Sequence, residues 1–247
     1  ILYIISLLIA TTDKDMQQEI IENMFSAMEK LEENGFRPCS HLVLTAYVIG
    51  RYGNPRKQDD IVYKLKESYI LLKEKYNNIT NEDDYLLCAL WSINNIEVEV
   101  VNDFIENVYD HVADYNIRTK NGVQGLSNAM ILNGSSGHMY RNMEFLLQLQ
   151  KRDIKIANQF LPLVGVLSNT NPRRTVDLVE GVIEDLCDKE AEYEFYLDKG
   201  FRTIIAVVIV SFCTISDKRR YIDELLAHGV ISFINSKNKG IFEEALS

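Results

Sequence analysis

The residues of this chain best equipped for chemistry are its acids and histidines. The stretch "TNEDDYLLCALWS", residues 80–92, sets Glu82, Asp83 and Asp84 directly in front of an apolar run. Adjacent carboxylates in that position have two uses. They can hold a divalent ion and, through it, a diphosphate, or they can occupy a first helical turn, where the positive end of the helix dipole favours negative charge. The first use, in the manner of isoprenoid synthases, needs aspartates one helical turn apart. Neither this cluster nor "DDIVY" at 59–63 supplies the later acid. The second needs only a capping side chain, and Thr80 or Asn81 is placed to cap a helix beginning near Asp84. Asp59-Asp60, and Asp13 with Asp15, precede other helices in the same way. Capping therefore accounts for all three clusters.

The histidines are His41, His111, His138 and His228. None forms H-E-x-x-H or a pair at helical ligand spacing, so a zinc site would need convergence from distant parts of the chain. His41 and His138 stand at helix starts and His228 near a helix end, positions that suit solvated, structural histidines. "NGSSGHMYRN" (133–142) is a glycine-rich loop leading into a helix, whose amides could meet an anion. It lacks the preceding strand and the G-K-[ST] of a P-loop and reads as an inter-helix connection. There is no G-x-S-x-G, and "SKNK" near the C-terminus is an unspecific S-x-x-K match. No catalytic residue, metal ligand set or cofactor follows from these patterns. The thirteen tyrosines read equally as a wet core edge or as the lining of a groove.

Two kinds of segment must position these residues. "LVLTAYVIG", "YLLCALWSI", "LSNAMIL", "FLPLVGVLS", "TIIAVVIVS" and the opening "IISLLIA" are apolar nearly all round, which predicts helices buried on all sides. Alternating with them are amphipathic stretches carrying one apolar stripe: Ile61, Leu65, Tyr69, Leu72 and Tyr76; Val98, Val101, Ile105, Val108, Val112 and Tyr115; Val176, Val179, Ile183 and Leu186. The β-branched run at 203–212 leaves a strand open as an alternative there. Each apolar segment has a small residue near its middle (Ser6, Ala46, Ala89, Ala129, Gly165, Ala206), at spacings of 40, 43, 40, 36 and 41 residues. That period, with two helices per unit, matches HEAT-type repeats of roughly 40–47 residues. Gly35 and Gly229 are placed to end helices, Ser40 to start one, and Asn171-Pro172 to supply N-cap and first turn. The expected fold is all-α: a right-handed α-solenoid-like array of about six antiparallel helix pairs, a single helical-repeat domain over residues 1–247.

Composition excludes several functions. The formal net charge is −10, and the basic groups Lys218-Arg219-Arg220 and Arg173-Arg174 are too small for a groove-length stripe. Nucleic-acid binding is therefore not expected. The run Ile204 to Cys213 is ten residues, short of the roughly 20 that span a bilayer, so no membrane association is expected. The four cysteines, Cys39, Cys88, Cys187 and Cys213, are scattered, which fits a reducing, cytoplasmic setting without disulfides. The chain opens without Met inside an apolar segment, which suggests natural sequence upstream.

"LEENGFRPCSHLVLTAYVI", "ITNEDDYLLCALWS", "GLSNAMIL" and "FLPLVGVLS" are similar to a bacterial family catalogued as domain of unknown function 4003, and their spacing carries the resemblance through most of the chain. The family pattern places one histidine ahead of its Leu-Thr-Ser-x-Asp-Asp-Tyr motif and another after Leu-Ser. Here Tyr76 and Asn128 stand at those places, while Thr80, Asp83, Asp84 and Tyr85 match. The resemblance implies no reaction. The expectation drawn from the sequence is a non-enzymatic scaffold that binds a protein or peptide, a basic one given the charge. The alternative is an enzyme or small-ligand protein with an acidic inter-helix pocket. Its candidate residues are Thr80, Asp83, Asp84, Tyr85, His41 and Asn128.

Overall fold

The computed structural model describes residues 1–112, 120–132, 139–166, 171–189, 197–214 and 221–238. His138, the glycine-rich stretch 133–138, Tyr115 and Lys218-Arg219-Arg220 lie outside them. Twelve α-helices and no strand occur among the described residues. Contacts divide the chain into two compact units: Ile1–Phe104 with Leu226–Ile234, and Ile105–Leu225 with Asn235–Ser247.

The first unit is built from α1 (Leu2–Ala10), α2 (Lys14–Glu33), α3 (Ser40–Tyr52), α4 (Gln58–Lys75), α5 (Tyr85–Ile93) and the start of α6 (Val98–Val112). The all-round apolar segments form its centre. In α3, His41, Leu42 and every residue from Leu44 to Gly50 are buried, and in α5 every residue from Tyr85 to Ser92 is buried. α3 and α5 pack on each other, α2 covers α3, and α4 covers α5. α3 runs back along α2, and the approach is close. A Cβ built on Gly50 would lie 2.6 Å from the Met24 nitrogen and 3.0 Å from the Ile20 carbonyl oxygen.

α2 ends as its glycine predicts. Gly35 has φ +87, and the Phe36 and Gly35 amides reach back to the Leu31 and Glu32 carbonyls in a Schellman motif. α5 ends the same way with Asn95 at φ 53, the Ile96 amide donating to Trp91. The start of α3 differs from the expectation. Cys39, not Ser40, is the N-cap, its sulfur accepting the Leu42 amide at 3.4 Å. α1 departs further: Leu2, Tyr3 and Leu7 are exposed, so this helix buries only one side, through Ile5 and Leu8.

The second unit contains α7 (Lys120–Ile131), α8 (Met139–Lys151), α9 (Leu161–Val166), α10 (Pro172–Lys189) and α11 (Lys199–Thr214). α7 packs on α9, and α10 on both α8 and α11. The small residues expected to allow close packing do so here. A Cβ on Gly165 would stand 2.8 Å from the Ala129 Cβ and 2.8 Å from the Leu126 carbonyl oxygen. Asn171 accepts the Arg174 amide as N-cap of α10, with Pro172 the first helical residue. Arg152, just past α8, pairs with Asp177 and Glu180 of α10. Residues 203–212 are helical, within α11, which settles the strand alternative; Ile209 and Phe212 face outward.

α12 (Ile222–Asn238) contributes residues 226–234 to the first unit. It runs through Gly229, which was expected to end a helix; buried residues at helical spacing, Leu225, His228 and Ser232, continue across it.

Candidate functional site

The acidic turn of the first unit is organised by Asn81. Its side chain accepts the Asp83 amide at 2.9 Å, and its own amide donates to the Asp84 carboxylate at 3.1 Å, a reciprocal capping box around the 3-10 turn Glu82–Asp84. Thr80 does something else: its hydroxyl, buried, donates to the Leu72 carbonyl at 3.2 Å and ties the turn to α4. The α-helix then begins at Tyr85. Capping thus uses Asn81 and Asp84, and it leaves the Asp83 side chain free to turn another way.

Asp83 turns toward α3. Its carboxylate lies 2.7 Å from His41 Nε2, with the histidine side chain 3% exposed and the aspartate 36%. The main chain of the same residue is used as well, for His228 Nε2 lies 2.9 Å from the Asp83 carbonyl oxygen. Both nitrogens face acceptors, so each histidine is assigned a proton on Nε2. Ser232, one turn after His228 on α12, places its hydroxyl 3.4 Å from His41 Nε2. The two imidazole rings are 5.1 Å apart, centroid to centroid. On their far edges, the Nδ1 atoms of His41 and His228 are buried and have no hydrogen-bond partner.

Burial dictates the electrostatics. It pushes the His228 pKa down to about 4, helped by the neighbouring His41 and opposed by Asp83, so His228 is neutral at physiological pH. Burial pushes Asp84 up to about 7 against its bond from the Asn81 amide, with Asp83 adding to the rise. Asp84 is therefore a buried carboxyl that shares its proton near neutrality, not the solvated first-turn anion the capping reading implied. Burial also raises the Cys39 and Tyr85 groups. Tyr85 and Tyr69 pack edge to face, 4.8 Å between centroids, with Phe36 5.0 Å from Tyr85. These two tyrosines make a core edge rather than a groove lining.

Four of the six candidate residues, Thr80, Asp83, Asp84 and Tyr85, share one turn, and His41 meets them through Asp83. Asn128 is buried in α7, in the second unit. His228 and Ser232 were missed. His228 was expected near a helix end and solvated; it is interior to α12 and 5% exposed. The available signal was the buried stripe of Leu225, His228, Ile231 and Ser232, visible once the helix is continued through Gly229.

The cluster is not a serine-type triad. Hydroxyl and carboxylate face the same nitrogen of His41, whereas proton relay from serine needs them on opposite nitrogens. Among the described residues no group of three or more His, Cys, Asp or Glu side chains is placed to hold a metal ion. What the arrangement offers is one solvent-facing carboxylate backed by two buried imidazoles, each with an open acceptor position. Among the described residues, no helix is long and apolar enough to cross a membrane.

A family model described as "Protein of unknown function (DUF4003)" matches residues 1–239, and the chain belongs to that family. No curated protein and no solved structure matches it.

Proposed function

We propose that this protein binds a small ligand, and acts on it by acid–base chemistry, at the cluster of Asp83, His41 and His228 in its first unit. One observation carries the reading: two imidazoles, 2% and 5% exposed, are both tied to Asp83 and both leave Nδ1 without a partner. Leaving a buried polar atom unsatisfied costs roughly 1–3 kcal/mol, and a helix interface that only had to pack would carry apolar side chains there. The same unit gives both ends of another buried polar side chain a partner. Gln58 accepts from the Ser26 hydroxyl at 2.9 Å and donates to the Asn23 carbonyl at 3.0 Å. The Asp83 carboxylate, partly in water, is the group a ligand meets first, with His41 as its proton partner.

The test is a thermal-shift screen of small protic compounds, neutral and cationic, on the chain as it stands. Hits are expected to vanish in Asp83→Asn and in His41→Gln and to persist in Glu29→Gln, an exposed position on α2. Hits that survive both substitutions contradict the reading.

A second reading, the scaffold, has its own support. The exposed apolar side chains Leu2, Tyr3 and Leu7 on α1, with Phe25 on α2, together with the net charge of −10, suit a basic, amphipathic peptide. In this reading the helix pairs stack as a HEAT-like solenoid. Binding of such a peptide that is weakened by Tyr3→Ser and Leu7→Ser, but not by Asp83→Asn, supports it.

A further inference from the structure

We propose that the outer face of α4 is a coiled-coil seam for a partner helix that alternates Lys or Arg with Leu or Ile along one stripe. The proposal rests on the scaffold reading and gives it a docking face and a partner of defined spacing.

Spacing comes first. Asp60, Tyr63, Glu67, Ile70 and Glu74 follow one another at steps of three, four, three and four residues, the a and d positions of a heptad repeat. In an ordinary surface helix such a stripe faces the core. α4 buries a different one, which includes Ile61, Val62, Leu65 and Leu72, and turns this one to solvent. Tyr63 is 57% exposed and Ile70 43%, so both d positions are apolar and uncovered. Glu67 and Glu74, at a positions, are exposed as well. The Tyr63 hydroxyl hydrogen-bonds the Glu67 carboxylate, which holds the ring along the seam. From Asp60 to Glu74 the seam runs about 21 Å at 1.5 Å per residue, room for two heptads of a partner.

Charge selects the partner. The lysines of α4 leave most of the seam unneutralised. Lys64 pairs with Asp60 at 3.7 Å and reaches Asn95 Oδ1 at 3.4 Å. Lys73 donates to the Tyr69 hydroxyl at 3.3 Å, and Lys75 lies over the Tyr76 ring. Lys66 is half-buried and stands about 100° round the helix from Glu67. Among the described residues Glu67 and Glu74 make no ion pair. A second copy of the chain is the wrong occupant, because it brings the same acids and a further net charge of −10 to the contact. A basic, apolar stripe suits both kinds of position: Lys or Arg reaches the acids at a, while Leu or Ile packs on Tyr63 and Ile70 at d. Leu71, also exposed, widens the apolar strip on one flank.

The experiment uses the full chain and two synthetic helical peptides of about three heptads. Both carry Leu at every d position and neutral residues outside the seam; one carries Lys at every a position, the other Glu. Fluorescence anisotropy at low and physiological salt reads binding. The Lys peptide is expected to bind and the Glu peptide not, with affinity falling as salt rises. Glu67→Lys with Glu74→Lys should weaken the Lys peptide about tenfold or more and admit the Glu peptide. The same reversal at Glu19 and Glu32, exposed on α2, should leave the preference unchanged. Tyr63→Ser with Ile70→Ser should remove binding of the Lys peptide. All the substituted side chains are exposed, so the variants should keep the circular dichroism of the unsubstituted chain. A Lys peptide that does not bind, or binding indifferent to the charge reversal on α4, overturns the proposal. If binding survives every α4 variant and is lost in Tyr3→Ser with Leu7→Ser, the seam is wrong and the scaffold reading stands on α1. If the Lys peptide binds at neither face, both are wrong.

Discussion

The joint between α7 and α9 and the junction of α3 with residues 226–234 of α12 bury helix surface by opposite means. At the first, Gly165 lies so near α7 that a Cβ would stand 2.8 Å from that of Ala129. The contact is made by removing atoms. At the second, two imidazoles, a hydroxyl and a carboxylate occupy the interface and two nitrogens lack partners. The first joint is what packing alone asks for. The second retains groups that packing would discard, which points to a use for them.

The sharpest way to break the comparison is to add volume at the tight joint. Gly165→Val should destabilise by about 3 kcal/mol, the upper end for overpacked cores, because the atoms it meets include backbone. Urea denaturation of the chain measures it, and a neutral result would mean that the joint is slack. A smaller loss, about 1.5–3 kcal/mol, is expected for Asp83→Ala, which strands the buried His41 N–H without its charged acceptor. Asp83→Asn should lose less, since an amide oxygen can still accept that proton.

The third prediction separates Asp84 from His228 by pH. Asp84 ordinarily titrates near 3.8 and in the fold near about 7, so the native state holds a proton that the unfolded chain releases. Its contribution falls as pH rises between those values and is flat above them. His228 ordinarily titrates near 6.5 and in the fold near about 4, so the unfolded chain gains a proton first, and its contribution falls as pH drops through that window. The two slopes oppose each other between about pH 4 and 6.5. Asp84→Asn should leave stability rising with pH there, and His228→Asn should leave it falling. Denaturation midpoints across that range decide it, and parallel curves for the two variants would contradict both assignments. The smallest effect is at the cap: Asn81→Ala should cost about 0.5–2 kcal/mol, while Thr80→Ala removes the hydroxyl that ties the turn to Leu72.

Much of the helical layout was legible because its signals are local. The stripe Ile61, Leu65, Leu72 is buried as its period implies, and Gly35 and Asn171-Pro172 mark ends where expected. The failures also have physical causes. Glycine was taken as the sign of a helix end, but Asn95 and Asp153 take the left-handed position after α5 and α8, and Gly229 lies inside α12. Their short polar side chains tolerate that conformation, and nothing in their spacing announces it. An apolar helix was taken as a buried one, yet Leu7 of α1 is 66% exposed. His41 and Asp83 were both candidates from sequence, but their third member was not. His228 lies 145 residues from Asp83 along the chain, and only tertiary packing brings it there.

The central claim is that the His41–Asp83–His228 cluster is kept for binding and not for stability. The direct measurement is the double substitution His41→Leu with His228→Leu, scored at neutral pH for melting temperature and for small-ligand binding on the same sample. Removing both imidazoles with their open acceptors, while Asp83 keeps access to water, should leave the melting temperature equal or higher, because apolar replacement of a partly satisfied polar cluster is neutral or stabilising. Binding should be abolished. A melting temperature that collapses while binding persists in the folded fraction would show instead that the histidines hold the fold and that the ligand site lies elsewhere.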